Sequence, residues 1–261
     1  MRTRIFILFL ALLLTLACGG RKEDPILRLS AAEALELGKK YLAEEKYYKA
    51  EQHLTHAFEV EPNSRSGREA LLLAADSLYL DGGIDNFIRC EAKYRDFINR
   101  FPTSDRTDYA QYQVASCLAR RVEKPDRDQK VTEKALGAYE ELLRLYPTSP
   151  YVAEARQKIQ EVTDLLAEHE LVVGVFYLNY GRGVLCEATI GRLEYLQKEY
   201  PTFSKMDSTL FHLGLAYERC LRPEDAEQVF LDLRQKYPDS ELIQDIEKER
   251  KKSRKKAKKR Q

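Results

Sequence analysis

The chain has 261 residues, of which 44% are hydrophobic and 33% charged, with a formal net charge of +1. That is enough apolar material for a real core, in one or two ordinary domains or one repeat array. Nine prolines and twelve glycines in the whole chain are too few turn-formers for an all-β protein, and long helices are the expectation.

Residues 1–17 read MRTRIFILFLALLLTLA, with Arg2 and Arg4 ahead of an apolar run of thirteen residues, Ile5 to Ala17. A charged start and a short apolar core make a secretory signal; a membrane-spanning helix needs about twenty residues. The run ends at Cys18, after Thr15, Leu16 and Ala17 and before two glycines. This resembles the bacterial lipoprotein signal, in which cleavage precedes the cysteine and lipid is attached to it. Thr15 stands where leucine is usual, with Leu14 one place further out. The alternative is an ordinary signal in which Cys18 has no role. Residues 18–29 then form a lipidated tether, and no later stretch is apolar enough to cross a bilayer.

Residues 30–246 carry a recurring phrase: EPNS at Glu61–Ser64, FPTS at Phe101–Ser104, YPTS at Tyr146–Ser149, YPTF at Tyr200–Phe203 and YPDS at Tyr237–Ser240. Proline just past a helix end blocks its continuation, and the Ser, Thr, Asp or Asn beside it can cap the next helix. The prolines are 40, 45, 54 and 37 residues apart. Counting back from Pro62, the residues Ala34, Leu37, Gly38, Tyr41, Ala50, Leu54 and Ala57 follow the 34-residue tetratricopeptide pattern. Counting back from Pro238, Leu210, Leu213, Gly214, Tyr217, Ala226, Phe230 and Leu233 repeat it. Small Gly38, Ala50, Gly214 and Ala226 are expected where two antiparallel helices press together. Tyr41 and Tyr217 are expected to fill the hairpins.

Five units follow: Ala31–Asn63, about Ser66–Thr103, about Thr107–Ser149, Tyr151–Phe203 opening with a long helix to about Tyr180, and Asp207–Ser240. The three middle units keep the second helix and loosen the first, with insertions expected at Asp81–Asp85 and Glu123–Lys130. The fold class expected is all-α, a tetratricopeptide-like α-solenoid of about five helical hairpins.

Residues 247–261 form a basic tail. Lys248 to Arg260 holds ten basic residues and one acidic, a net +9, so the rest of the chain is −8. Its charges include Lys251, Lys252, Arg254, Lys255, Lys256, Lys258, Lys259 and Arg260, and only Ala257 is apolar. Such a block marks an interaction tail or disorder. It is expected to lie outside the fold and to touch an acidic partner surface or anionic lipid; self-association with the acidic body and plain solvation compete. Export argues against nucleic acid as a partner.

Cys90, Cys117, Cys186 and Cys220 are far apart and form no CxxC. Buried thiols are the expectation, since a well-filled helical array does not need bridges; a pairing cannot be read from spacing. His53 and His56 lie three apart and share a helix face, but without HExxH or a cysteine cluster they read as structural. No metal or cofactor is expected, nor an enzyme, because the repeats use up the chain and neither P-loop, dinucleotide loop nor GxSxG occurs.

The repeats, the lipid-type cysteine and the segment HELVVGVFYLNYG (His169–Gly181) together resemble the BamD lipoproteins of the outer-membrane β-barrel assembly machine. FPTSDRTDYAQYQVASC, with its Asp108–Tyr109 pair, looks like the end of that family's second repeat and the start of its third; LEYLQKEYP at Leu193–Pro201 looks like its fourth. The resemblance runs from about Ser30 to Ser240. It implies a non-catalytic scaffold in the outer membrane of a Gram-negative-type bacterium, lipid-anchored and facing the periplasm. The implied partners are the barrel-forming subunit at the later repeats and unfolded outer-membrane proteins at the early ones, with accessory lipoproteins in some bacteria. Gly181, Arg182, Gly183, Cys186 and the basic end depart from the family. The alternatives are another periplasmic repeat lipoprotein, serving division or wall synthesis, and an enzyme with appended repeats.

Overall fold

The computed structural model describes residues 24–180 and 185–258. Eleven α-helices follow one another among them: α1 Ala31–Ala43, α2 Tyr47–Val60, α3 Arg65–Asp81, α4 Ile84–Arg100, α5 Thr107–Ala119, α6 Lys130–Leu145, α7 Val152–Tyr180, α8 Leu185–Glu199, α9 Met206–Arg219, α10 Pro223–Lys236 and α11 Ile246–Lys258. The fold is all-α, with tetratricopeptide-like hairpins α1/α2, α5/α6, α7/α8 and α9/α10. The chain divides between Ser77 and Leu78 into two compact units.

In the first unit Ser30 starts α1 with a reciprocal cap. Its hydroxyl accepts from Glu33 N at 3.3 Å, while the Glu33 carboxylate accepts from Ser30 N at 2.9 Å, satisfying two amides that a bare helix start leaves unpaired. α1 and α2 close over Ala34, Leu35, Ala50, Leu54 and Ala57, and α3 adds Ala70 and Ala74. The turn between α1 and α2 is tight. Glu45 takes φ 58°, and Lys46 N donates to Tyr41 O at 2.9 Å.

The second unit repeats this construction. Leu221 takes φ 59° between α9 and α10, and Arg222 N donates to Tyr217 O at 2.9 Å. Its C-terminal core comprises Leu193, Leu196, Leu210, Leu213, Phe230 and Leu233 with residues around them; Tyr94 and Phe97 of α4 and Tyr139 and Leu142 of α6 are also buried.

All five proline phrases adopt one form. The first residue still bonds back four residues, as in Phe101 N to Phe97 O and Tyr237 N to Leu233 O, both 2.9 Å. The fourth residue then donates to the first, as in Ser104 N to Phe101 O and Ser240 N to Tyr237 O, both 3.0 Å. Proline sits at the second turn position, where its fixed φ is favourable and its missing N–H costs nothing.

Three expectations need correction. The extra length of the second repeat is not an insertion at 81–85. Gly82 and Gly83 make a short turn with φ 76° and 89°, and the length lies in α3 and α4, each 17 residues. The connection at 120–129 is a true loop.

The cysteines are not free thiols: Cys90 is bridged to Cys117 and Cys186 to Cys220. The first bridge joins α4 to α5, and the second joins α8 to the end of α9. The partners sit 27 and 34 residues apart in sequence but only 6.5 and 5.7 Å apart at Cα, within bridging reach.

The basic segment is not wholly outside the fold either. α11 packs on α9, with Ile246, Arg250 and Ser253 buried. Lacking an apolar stripe, it docks through charge.

Candidate binding surfaces

The residues of the repeat pattern are packing residues. A Cβ on Gly38 would lie 2.5 Å from Leu54 Cγ, and one on Gly214 would lie 2.6 Å from Phe230 Cε1. Ala50 and Ala226 are fully buried. Tyr41 stands with its ring 5.0 Å from that of His53, and Tyr217 donates its hydroxyl to Glu194. Burial first, then that carboxylate, push the Tyr217 hydroxyl up to about 12. Pro62 and Pro238 stand in the turns.

Sequence reasoning missed two further close approaches. A Cβ on Gly174 would meet Leu193 Cδ2 at 2.9 Å, and one on Gly67 would meet the Glu61 carbonyl at 2.0 Å. It also missed a clasp within two repeats. Ser149 Oγ donates to Asp108 Oδ2, and Ser240 Oγ to Asp207 Oδ2, each at 2.7 Å. Each aspartate is the second residue of its repeat's first helix, and each serine ends that repeat's proline phrase. The coincidence of Asp at one end and Ser at the other was a readable signal.

Three surface features stand out among the described residues. Around α5, Tyr109 and Tyr151 are half-buried. Tyr112 stacks on Tyr151 at 5.0 Å and 18°, Tyr109 meets Tyr151 at 5.7 Å, and Arg106 lies 4.6 Å over the Tyr109 ring. This is an aromatic cluster, half-buried at Tyr109 and Tyr151 and buried at Tyr112, with a cation at its rim.

A second surface lies along the 29-residue helix α7. Val172 and Phe176, one turn apart, are 38% and 56% exposed. A cleft of about 680 Å³ opens beside its middle, lined by apolar residues including Ala119, Val122 and Leu165 and by charges of both signs, Glu123, Lys124 and Arg127. His169 Nδ1 lies 2.6 Å from Pro125 O and pins the loop to the helix.

The third surface is α11. Glu218, 2% exposed, receives Arg250 Nε at 2.7 Å and Arg254 Nε at 2.6 Å. Arg250 also reaches Glu227 at 2.7 Å and lies 5.2 Å over Phe230. Burial alone would raise the Glu218 carboxyl; the hydrogen bonds from Arg254 and Arg250 outweigh it and hold the group below its ordinary range. Lys251, Lys252 and Lys255 point to solvent, with Lys252 paired to Glu249 at 2.6 Å. Of the other predicted residues, Cys18, Lys259 and Arg260 lie outside the described residues, as do the side chains of Lys256 and Lys258.

The histidines are structural. His56 Nε2 is 3.0 Å from Leu29 O, His53 Nδ1 is 2.8 Å from Lys49 O, and His212 Nδ1 is 2.8 Å from Ser208 O. Among the described residues no group of His, Cys, Asp and Glu could hold a metal, and no helix is long and apolar enough to cross a membrane.

Residues 28–229 match the family described as YfiO, outer membrane lipoprotein. Among similar proteins is the outer membrane protein assembly factor BamD of Caulobacter vibrioides, 31% identical over 156 residues, 60% of this chain. That match spans about half, 49%, of the relative's length. The factor of the same name from Rickettsia prowazekii is 25% identical over 223 residues, covering 85% of this chain and 86% of that protein. That from Haemophilus influenzae is 25% identical over 216 residues, covering 79% and 80%. With hairpin repeats filling the matched region, the chain belongs to the YfiO family of outer membrane lipoproteins, lipid-anchored at the periplasmic face of the outer membrane.

Proposed function

We propose that this protein is a periplasm-facing scaffold of the outer-membrane protein assembly complex and catalyses no reaction itself. The observation that carries the reading is the family match over residues 28–229 on a chain whose described residues are nearly all spent on packed hairpins. Hairpin repeats present their outer helix faces to partners. The half-buried rings of Tyr109 and Tyr151, backed by buried Tyr112, form the surface that holds unfolded outer-membrane proteins, because their strands alternate apolar and polar side chains. The exposed stripe of α7 and the surface of the last repeat receive the barrel-forming subunit. Cys18 carries the lipid, and the outward lysines of α11 contact anionic lipid headgroups.

Affinity purification from detergent-solubilised membranes tests the reading. A large outer-membrane barrel protein is the expected co-purifying species. Its reproducible absence, with wall-synthesis or division proteins in its place, would replace the reading with another envelope scaffold. Phe176→Glu should weaken recovery of the barrel protein, and Tyr151→Ala should weaken capture of an unfolded client peptide.

A further inference from the structure

The two disulfides are chemically unequal. Cys90 and Cys117 are both fully buried and both lie inside helices, α4 and α5. Cys186 and Cys220 are each only partly buried and stand at helix ends. Cys186 is the second residue of α8, where the helix dipole favours negative charge on sulfur. Cys220 is the C-cap of α9, where the negative end of the helix dipole disfavours it. One bond therefore joins a good leaving sulfur to a poor one, within reach of solvent.

We propose that Cys186–Cys220 is a thiol–disulfide exchange site whose partner is a protein dithiol of the oxidoreductase class, whereas Cys90–Cys117 is a permanent staple. The thiolate of the dithiol attacks Cys220 Sγ. A mixed disulfide forms there, the Cys186–Cys220 bond breaks, and its electron pair leaves on Cys186 as a thiolate stabilised by the start of α8. The second thiol of the dithiol loses its proton to solvent and attacks its own mixed-disulfide sulfur. This releases Cys220 as a thiolate and leaves the partner oxidised. Both released thiolates can take up protons from water, so two electrons pass from the dithiol to this chain; run backwards, the same steps form the bridge. Disulfide exchange requires an accessible sulfur and is faster when the departing thiol has a low pKa, and the second bridge alone has both features. Reduction need not unfold the repeats. Arg222 also ties the end of α9 to α8, 3.7 Å from Glu187, and Leu193, Leu210 and Leu213 stay packed around the joint.

The inference does not depend on the proposed scaffold role. The test uses the full lipidated protein in detergent, titrated with dithiothreitol under native conditions, quenched with iodoacetamide and mapped by mass spectrometry. Cys186 and Cys220 should become alkylated at a reductant concentration at least about tenfold below that needed for Cys90 and Cys117, with helicity by circular dichroism unchanged. With glutathione as a monothiol probe, the adduct should appear on Cys220 while Cys186 is free. Reduction of both bridges together, reduction of Cys90–Cys117 first, loss of helicity in step with the opening of Cys186–Cys220, or a glutathione adduct on Cys186 would each overturn the proposal.

Discussion

The glycines separate two reasons for the same residue. Gly38 and Gly214 sit where an added Cβ would come within 2.5 and 2.6 Å of a neighbouring side chain. Gly137, in α6, has nothing within 4 Å. Gly214→Ala should therefore destabilise by about 1–3 kcal/mol through overpacking, and Gly38→Leu by at least as much. Gly137→Ala should stabilise by about 0.5–1 kcal/mol, because glycine loses more conformational freedom on entering a helix. Thermal unfolding of the three variants measures this; equal melting temperatures for Gly137→Ala and Gly214→Ala would show the contact to be unimportant. Leu221 offers a second case. A leucine 50% exposed at φ 59° is strained by roughly 1–2 kcal/mol, so Leu221→Gly should raise the unfolding midpoint. Gly38 and Gly214 were legible in the sequence because each sits at a fixed offset before a proline phrase. Gly67 and Gly174 were not, because the middle repeats depart from the pattern and only the packing of Leu193 and the Glu61 carbonyl reveals their role.

Helix α11 is held by a buried ion pair, not by an apolar stripe. Arg250→Ala removes a side chain 10% exposed and leaves Glu218 half-compensated in the interior, which should cost about 3–5 kcal/mol of docking. Arg254 is 50% exposed, and after solvent screening Arg254→Ala should cost nearer 1 kcal/mol. Amide hydrogen exchange across 246–255 reads both; indistinguishable protection in the two variants would contradict this ranking. A pH dependence follows from the same pair. The Glu218 carboxyl is lowered in the folded protein from its ordinary value of 4.5. Its contribution is full above the unfolded value and is lost as pH falls through the depressed folded value. Exchange protection of α11 should hold at neutral pH and collapse only in acid below that range, and Glu218→Gln should abolish this acid step. At the same scale, Cys90–Cys117 closes a loop with a sequence separation of 27, a length for which the bridge contributes about 3–4 kcal/mol. Replacing both cysteines by alanine should lower the denaturant midpoint accordingly.

Cys18→Ser should move the protein from the membrane fraction to the soluble periplasmic fraction, because the proposed acyl chains supply the anchoring. Retention in the membrane with an unchanged lipid-dependent mass would refute lipid attachment at that residue. For the basic end, truncating after Glu247 would be a poor experiment, since it would also strip Arg250 and Arg254 from Glu218. The informative variant is Lys251→Gln with Lys255→Gln, which leaves the ion pair whole. If the outward face meets anionic lipid, each removed charge should cost up to about 1 kcal/mol of vesicle binding. The loss should fade as salt shortens the screening length towards about 8 Å, and identical binding curves at every salt concentration would leave the segment a docked helix with a solubilising outer face.

The sequence by itself determined the helices, the hairpin repeat and the family resemblance. All three rest on local chemistry at fixed spacing: proline past a helix end, glycine facing a large residue across a hairpin, and a short apolar run before Cys18. Only the tertiary structure decided which cysteines meet, which aspartate receives which serine, and that ten positive charges could begin as part of the fold. Those outcomes depend on side chains brought together from 27 to 41 residues apart. The docking of α11 depends further on an acidic residue, Glu218, that in the sequence is one carboxylate among many. Its burial beside two arginines makes the structural assignment, and burial is a property of the packed chain.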